Sequence, residues 1–376
     1  AGGRNLASCF PGLVITSAQF LARRSARAVP CMATAAHAVP ACVARVPARR
    51  ASARSVRCSA DMPGSSLRLV AVDMDGTLLK PDSTISDDTV DTLRRVHASG
   101  AVVCVASGRP AATIRRYASQ IGLGPIPAVC FNGACAMLLD GDNPENDVVW
   151  HVEVMSREVV SLVLDVAETL DLPVQYCLPD VSVTAPVNAK QKQLMDQFDA
   201  LVGPEGGTTR VATLRPKADS DDSDAWPFPP PLKLIIITGS PSRAEKVAEQ
   251  ARLTLPQSTC HIIAAEVHVE FLMPGVDKAS GLRAAGKALG VELESCVAFG
   301  DANNDVEMLR ACGLSFAMPN GRESAIKAAD LVCRDDNEND GVAKELETLL
   351  AGGAFRAEAE APATAQAGLG LMNYFE

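Results

Sequence analysis

The stretch LRLVAVDMDGT at residues 67–77 indicates the fold class of this chain. Residues 67–72 form a nearly continuous apolar run, which is typical of a strand buried on both faces of a parallel sheet. Asp73 and Asp75 follow where this strand is expected to end, and Gly76 allows the chain to turn at once. Ligands of open α/β sheets bind outside the carboxyl ends of the strands. The two carboxylates are therefore expected at a binding edge.

The segments around this stretch predict an α/β fold with a doubly wound parallel sheet. Ser86 is a candidate N-cap for a helix that ends at Gly100. Alternating strands and helices with short connections indicate βαβ units. Further strands are predicted at residues 101–106, 128–131, 297–300, 314–318 and 330–334, and a further helix at residues 305–311.

The middle of the chain mixes strands and helices differently and predicts an inserted α+β domain. Its strands are predicted at residues 148–154, 232–238 and 267–272, and its helices at residues 157–170 and 243–253. An acidic and then proline-rich segment at residues 219–231 predicts an exposed loop. We therefore expect a core domain of residues 61–134 and 274–350, a cap domain of residues 135–273, and a flexible tail of residues 351–376.

Two further groups of residues could hold an anion at the predicted sheet edge. Ser107, with Gly108 and Arg109, ends the second strand, where a hydroxyl and the following backbone N–H groups can bind an anion; an ordinary helix cap is the alternative. Lys278 follows the candidate N-cap Asp277, and a cation in a first turn opposes the helix dipole unless an anion lies there. A solvated surface lysine is the alternative.

Residues 300–305, GDANND, follow another predicted buried strand. Asp301 and Asp305 supply the hard oxygen ligands that magnesium prefers, and neither His nor Cys is nearby to indicate zinc. An Asx-rich turn that caps the next helix is the alternative, and it is compatible with metal binding.

Charge is distributed unevenly along the chain, whose formal net charge is −10. Residues 1–60 contain nine Arg and no Lys, Asp or Glu. The remainder carries 26 Lys and Arg against 45 Asp and Glu. Such an acidic body favours neither nucleic acid nor an anionic membrane as a partner. No apolar run reaches the ~18–20 residues that a membrane helix needs, and the pattern does not indicate an oligomeric state.

Residues 1–60 are interpreted as an organelle-targeting transit peptide, because they are rich in Ala, Arg and Ser and lack acids. We expect a chloroplast (plastid stroma) location, with the mitochondrion as the alternative. A secretory signal and a disordered cytosolic tail stay open. The eight cysteines after residue 60 show no CxxC or zinc spacing. Cys104, Cys130 and Cys296 lie in apolar runs and are expected to be inert core thiols.

The motifs together resemble the haloacid dehalogenase (HAD) superfamily. Residues 73–77 (DMDGT), 107–109 (SGR), the lysine of 276–282 (VDKASGL) and 300–305 are similar to its motifs one to four. The long insert, with residues 132–134 (NGA) and 339–343 (NDGVA), resembles the Cof-type subfamily IIB with a C2B cap. Over residues 67–350, the resemblance implies a Rossmann-like core, an α/β cap, and a magnesium-dependent phosphatase.

The resemblance also implies a role for each motif residue. Asp73 would be the nucleophile that forms an aspartyl phosphate, and Asp75 would be the general acid and base. Ser107 and Lys278 would hold phosphoryl oxygens. Mg²⁺ would be held by Asp73, the Asp75 carbonyl, Asp301 and Asp305. The candidate substrate contacts are Arg109, Asn132 and Asn304, and a structural role is the alternative for Arg109 and Asn132.

The substrate is expected to be a small phosphorylated metabolite, either a sugar phosphate or a nucleotide-like or cofactor-like phosphate. A sugar phosphomutase of the same superfamily and a noncatalytic metabolite-binding module are the alternatives, whereas a dehalogenase does not need the acid at Asp75. Residues 318–321 (MPNG) depart from the pattern usual in this branch. Because that loop is expected to border the site, the departure bears on substrate contacts.

Overall fold

The computed structural model describes residues 67–179, 181–202, 208–216 and 226–355. The predicted transit peptide, residues 219–225 of the predicted loop, and residues 356–376 lie outside the described residues. Within these ranges two sheets are found, one of eight strands and one of six. None of the helices in the described ranges has the length and apolar character that a membrane crossing requires.

The strands and helices follow the chain in a mixed α/β order. The strands are β1 (Leu69–Val72), β2 (Val102–Ala106), β3 (Ile126–Cys130), β4 (Cys135–Leu139), β5 (Val148–Val152), β6 (Val174–Cys177), β7 (Ser182–Thr184), β8 (Thr208–Arg210), β9 (Lys233–Ile237), β10 (His261–Ala264), β11 (His268–Leu272), β12 (Cys296–Gly300), β13 (Leu314–Ala317) and β14 (Leu331–Val332). The helices are α1 (Asp87–Ala98), α2 (Ala111–Ile121), α3 (Arg157–Thr169), α4 (Ala189–Val202), α5 (Pro241–Thr254), α6 (Lys278–Leu289), α7 (Val306–Ala311), α8 (Glu323–Ala328) and α9 (Gly341–Ala351).

The first sheet has the order β14-β13-β12-β1-β2-β3-β4-β5. Strand β1 lies between β12 and β2 and is parallel to both, as the apolar run predicts. All four residues of β1 are buried. The sheet extends from β1 through β2 and β3 on one side and through β12, β13 and β14 on the other. The strand order therefore reverses at β1, and ligands of such folds bind at the carboxyl edge of the sheet at this point.

The predicted start of the cap domain at residue 135 is wrong. Strand β4 pairs with β3 and β5 pairs with β4, both antiparallel, so both extend the first sheet. The second sheet begins only after β5, at β6. An apolar strand pattern shows that a strand is buried but does not show which sheet its backbone joins. This is why the sequence analysis assigned the residues of these two strands to the cap.

The predicted helix boundaries are confirmed where capping residues mark them. The Ser86 side chain accepts a hydrogen bond from the Thr89 N–H at the start of α1. Asp277 accepts one from the Ser280 N–H at the start of α6, whose C-cap is Gly290. These caps satisfy N–H groups that have no partner within the helix.

The second sheet has the order β10-β11-β9-β6-β7-β8 and two different faces. On β9, Leu234 and Ile236 pack in an apolar cluster with residues of α3 and α5. The alternate residues Ile235 and Ile237 join the apolar cluster of the first sheet. Because alternate residues of a strand point to opposite faces, one face of this sheet is covered by α3 and α5. The other face shares the cluster of the first sheet together with Met195 and Phe198 of α4.

Two smaller features complete the core. The predicted flexible tail is wrong for its first residues, because Phe355 is buried and forms a bridge with Leu67. The eight cysteines of the described ranges are buried. Burial raises the pKa of Cys104 and of Cys130 well above the ordinary thiol value. These two thiols are therefore protonated core side chains near neutral pH.

Candidate active site

Asp73 lies at the carboxyl edge of the first sheet, directly after β1. Its N–H donates to the carbonyl of Phe299 on β12, 3.0 Å away. The register that pairs Val72 with Phe299 brings Asp73 beside Gly300, and Asp301 comes next in the chain. Two sequence-distant acids therefore meet because their strands are parallel neighbours that end at the same level.

Three carboxylates form a cluster at this edge, which we call the acidic triad: Asp73, Asp301 and Asp305. One oxygen of each lies within 4.8 Å of the others. Asp305 Oδ2 also accepts the backbone N–H groups of Asp301 and Ala302, at 3.0 and 2.9 Å. The turn-capping interpretation and the metal-binding interpretation of Asp305 are therefore compatible, as expected.

Lys278 is fully buried beside the acidic triad, at 0% exposure. Its Nζ donates to Asp73 Oδ1 and to Asp305 Oδ1, the latter at 2.7 Å. The alternative of a solvated surface lysine is wrong. Helix α6 begins at Lys278, so the helix N-terminus adds its partial positive charge to that of the ammonium group.

The charges of this cluster are not balanced by the protein alone. Burial raises the pKa of Asp73 well above its usual value, Lys278 lowers it in part, and Asp305 and Asp301 raise it further. Burial, followed by the charge of Asp305, raises the pKa of Asp301 to about 6. For Lys278, burial acts to lower the pKa, but Asp305 and Asp73 outweigh it and the pKa is raised. The cluster thus contains one ammonium group and three carboxyl groups.

A divalent cation fits this surplus of negative charge. The acidic triad offers only carboxylate oxygens, which are the ligands that magnesium prefers. Nitrogen and sulfur donors, which would favour zinc, are absent from the triad. The residues present therefore fit a hard divalent ion held between Asp73, Asp301 and Asp305.

The turn after β1 holds Asp301 in place. Thr77 Oγ1 donates to Asp301 Oδ1 at 3.1 Å. Gly76 has a φ of 80°, and a Cβ at this position would lie 2.5 Å from Asp301 Oδ2. Glycine is therefore required here by backbone conformation and by space. Sequence reasoning noted Thr77 only as part of the motif and assigned it no partner.

Asp75 lies outside the acidic triad and interacts with Arg109 instead. Its carboxylate accepts two hydrogen bonds from the guanidinium, Nε to Oδ2 at 2.8 Å and Nη2 to Oδ1 at 2.5 Å. The Asp75 side chain is 57% exposed, whereas Asp73 is buried. The structure therefore separates the two motif carboxylates into a buried one within the triad and an accessible one near the surface.

Ser107 ends β2 at the same edge, one strand away from Asp73. It is fully buried, and its Oγ accepts the N–H of Arg109 at 3.2 Å. Residues 107–109, which we call the SGR loop, thus form a tight turn beside β1. Its serine hydroxyl lies at the predicted level of the sheet, and its arginine reaches across to Asp75.

Asn132, a candidate for a substrate or a structural role, uses its side chain within the protein. It is 2% exposed, and both ends of its amide are occupied. Its Nδ2 donates to Glu270 Oε2, and its Oδ1 accepts from Asn304 Nδ2 at 2.9 Å. The backbone of a turn can bring such a side chain inward, which a motif alone does not show. Asn132 instead connects Asn304 to the second sheet.

Two charged residues of the second sheet were missed by sequence reasoning. Lys233 Nζ donates to Glu270 Oε1 at 2.6 Å and to the carbonyl of Gly108 at 2.8 Å. Lys233 begins the apolar strand β9, and Glu270 lies within the apolar strand β11. A single charge inside an apolar strand is costly unless it is paired. That pattern is the signal that could have found them.

The loop that departs from the usual motif, residues 318–321, borders the acidic triad. Asn320 Nδ2 donates to the carbonyl of Gly76 at 2.8 Å. The N–H of Arg322 donates to the carbonyl of Asp301 at 2.6 Å. These bonds hold the backbone at Gly76 and at Asp301, on either side of the Thr77–Asp301 contact. The loop therefore contacts the turn after β1 and the turn after β12.

The core sheet carries the acidic triad at its carboxyl edge, and the second sheet is inserted in the chain between β5 and β12. A sequence model of the haloacid dehalogenase-like hydrolase family matches residues 70–346. The chain therefore belongs to the haloacid dehalogenase-like hydrolase family, and within it to the Cof-type subfamily IIB, as its motifs predicted. It is a HAD-type phosphatase that acts on phosphomonoesters.

Curated relatives match most of this chain. The 5-amino-6-(5-phospho-D-ribitylamino)uracil phosphatase YitU of Bacillus subtilis is 31% identical over 288 residues, which cover 74% of this chain and 96% of that protein. The HMP-PP phosphatase of Enterobacter sp. (strain 638) is 26% identical over 269 residues, which cover 69% of this chain and 86% of that protein. Both are named as phosphatases of phosphorylated small molecules.

A solved structure confirms the fold. The HAD subclass IIB sugar phosphatase BT4131 superposes with a TM-score of 0.60 at 21% sequence identity. The match covers 76% of this chain and 99% of that protein. The mixed core sheet and the second inserted sheet therefore correspond to a HAD core with a C2B cap, as predicted.

Proposed function

We propose that the protein is a magnesium-dependent phosphomonoester phosphatase that forms an aspartyl phosphate on Asp73. One observation carries this proposal: Lys278 is buried between Asp73 and Asp305, with Asp301 completing the acidic triad. Burying three acids and one lysine together is unfavourable for stability alone. The arrangement is useful where phosphoryl charge has to be neutralised.

Asp73 is the proposed nucleophile because Lys278 fixes one of its oxygens at the carboxyl edge of the sheet. In the first step the Asp73 carboxylate attacks phosphorus and the bond between phosphorus and the ester oxygen breaks. In the second step water attacks the phosphorus of the aspartyl phosphate, which releases inorganic phosphate and regenerates Asp73. Ser107 and Lys278 hold the phosphoryl oxygens during both steps.

Asp75 is the proposed general acid and base. Its exposed position suits contact with a departing alcohol and with incoming water, whereas Asp73 is buried. Asp75 gives its proton to the ester oxygen in the first step and takes one from water in the second. In the structure Arg109 donates to both oxygens of the Asp75 carboxylate, so one of these bonds has to open when Asp75 carries the proton that it gives.

Asp73, Asp301 and Asp305 would hold the Mg²⁺ ion. When bound, the ion would neutralise negative charge on the phosphoryl oxygens. Thr77 keeps one Asp301 oxygen oriented, and Lys278 keeps Asp305 oriented. The chain's own residues thus prepare the site before a substrate enters.

The proposed substrate is a small phosphorylated metabolite, and a ribityl or sugar phosphate is the leading candidate. The support is the similarity to the B. subtilis phosphatase, which is named for a phosphoribitylamino-uracil and matches over 96% of its length. Other relatives are named for HMP-PP, so the substrate class is broader than one compound.

The test is a panel of phosphorylated metabolites, assayed for released phosphate with magnesium and with a chelator. We expect activity that needs magnesium and that falls at least ~10³-fold in Asp73→Asn, because the variant lacks the nucleophile. Asp147→Asn, which removes a carboxylate paired with Arg115 away from the site, is the control. Full activity of Asp73→Asn would refute the proposal, and accumulation of an isomeric phosphate would identify a mutase.

We also propose that residues 1–60 direct the protein to the plastid. Support comes from their nine Arg and the absence of Asp, Glu and Lys. A fluorescent protein fused after residue 60 should accumulate in plastids of plant or algal cells. Accumulation in mitochondria would contradict this proposal.

A further inference from the structure

A buried polar connection joins the second sheet to the proposed phosphate site. We call it the clamp, and it consists of Lys233 and Glu270 from the second sheet and Asn132 and Asn304 from the core. Lys233 is 4% exposed and Glu270 is 6% exposed. Such buried charges need specific partners, and their two partners in the core, the Gly108 carbonyl and the Asn132 amide, lie in segments that border the site.

The core side of the clamp is a turn with unusual backbone geometry. Phe131, Asn132 and Gly133 have φ angles of 52°, 55° and 106°. Positive φ at the two non-glycine residues is unfavourable and persists only where the surroundings enforce it. A Cβ at Gly133 would lie 1.9 Å from the carbonyl of Asp277, so the turn also abuts the residue before Lys278.

This turn and the SGR loop are fixed to each other. The N–H of Phe131 donates to the carbonyl of Arg109 at 3.1 Å, and the N–H of Asn132 donates to the carbonyl of Ser107 at 3.0 Å. A displacement of the turn therefore displaces the loop that carries Ser107 and Arg109.

The two charges of the clamp hold both of these segments. Lys233 donates to the Gly108 carbonyl in the SGR loop, at 2.8 Å. Glu270 accepts from Lys233 and from the Asn132 amide, which in turn orients Asn304. His268 Nε2 lies 3.3 Å from the same carboxylate. The second sheet thus contacts the backbone next to Ser107 through Lys233. Through Glu270 it contacts Asn132, which binds Asn304.

We propose that Lys233 and Glu270 are positioning residues for the phosphate site. They hold the SGR loop and Asn304 in the arrangement that binds a phosphoryl group, so the site is complete only when the second sheet is docked. This inference rests on the proposed phosphatase function and extends it to residues outside the four family motifs.

The alternative is that the pair only stabilises the domain junction, and a double variant separates the two roles. Lys233→Met or Glu270→Gln alone leaves a buried partner without its counter-charge, which destabilises the fold. The double variant Lys233→Met/Glu270→Gln removes both charges and should regain much of that stability. It still lacks the ammonium group that holds the Gly108 carbonyl.

The experiment measures three quantities in the full chain with magnesium. They are the Kd of inorganic phosphate by calorimetry, kcat and KM with p-nitrophenyl phosphate, and the melting temperature. We expect both single variants and the double variant to weaken phosphate binding at least ~10-fold and to lower kcat by ~10–100-fold, because small displacements of positioning groups have effects of this size. Arg115→Met and Asp147→Asn are matched controls in a partly buried pair elsewhere in the core, and they should change only the melting temperature.

The outcomes separate this inference from the proposed function. If the double variant has wild-type phosphate affinity and kcat, the clamp is only structural and the inference is wrong. If that result comes with a wild-type enzyme that releases phosphate and an inactive Asp73→Asn, the proposed function stands alone. A wild-type protein that neither binds nor releases phosphate refutes both.

Discussion

In the part of the chain that the structure describes, two lysines are buried, and their surroundings differ in charge. Lys278 contacts Asp73 and Asp305, and Asp301 completes the acidic triad beside it. Lys233 contacts a single carboxylate, Glu270. Both ammonium groups lie where the chain could have placed apolar side chains at a lower cost of desolvation. The two clusters therefore differ in the number of carboxylates that accompany each ammonium group.

The two clusters show how buried charge separates a reactive site from a rigid support. Around Lys278 the negative charge exceeds the positive charge, and the pKa of Asp73 and that of Asp301 are raised. Around Glu270, burial acts to raise the pKa, but Lys233 and His268 outweigh it and lower the pKa to about 2. The first cluster needs a further cation, whereas the second is complete without one.

The largest expected effect comes from removing each lysine in turn. Lys278→Met and Lys233→Met should each lower the free energy of unfolding by about 3–5 kcal/mol, because each leaves a buried carboxylate unpaired. Magnesium should distinguish them. In Lys278→Met the triad is more negative, so the gain in unfolding free energy on adding magnesium should exceed that of the wild type by about 1 kcal/mol or more.

Urea unfolding with magnesium and with a chelator measures this comparison. Lys233→Met should show the same magnesium response as the wild-type protein, because its cluster is not part of the triad. An equal response of the two variants would mean that the surplus charge of the triad does not attract the ion.

A smaller effect is expected from Asp301→Asn, and its sign depends on the metal. The folded-state pKa of Asp301 is raised to about 6, so its contribution to stability is present below its unfolded pKa near 4 and is lost as the pH rises through about 6. At pH 7 without metal, Asp301→Asn should therefore be more stable than the wild-type protein by about 2–3 kcal/mol. With magnesium present the order should reverse, because the variant loses a ligand.

Thermal unfolding at pH 7 with a chelator, and then with magnesium, provides the measurement. The Asn side chain can still accept the hydrogen bond from Thr77 through its oxygen, so that contact is a shared feature of the two proteins. If Asp301→Asn is destabilised in the chelator, the carboxylates of the triad do not repel one another and the electrostatic argument is wrong.

The sequence predicted the Lys278 cluster well and the Lys233 cluster not at all. Asp73, Lys278 and Asp301 each follow a strand end or begin a helix, and parallel strands bring such positions to one edge. Lys233 and Glu270 lie inside apolar strands, and their partners are a backbone carbonyl and an amide from another domain. The side-chain pattern of a strand does not show which domain the strand will face. This is also why the residues of β4 and β5 were assigned to the predicted cap domain.

The smallest expected effect is on stability in acid and concerns Glu270. Its folded-state pKa is depressed to about 2 from a model-peptide value of 4.5, mainly by Lys233 and His268 acting against burial. A depressed carboxylate stabilises the fold above its unfolded pKa, and the contribution is lost as the pH falls from about 4.5 towards 2. Glu270→Gln has no such pH-dependent contribution. Between pH 5 and pH 3 the free energy of unfolding of the variant should therefore fall by about 1–2 kcal/mol less than that of the wild-type protein. Melting temperatures measured across this range would show parallel curves if Glu270 is not held ionised by Lys233, and that result would remove the contrast between the two buried lysines.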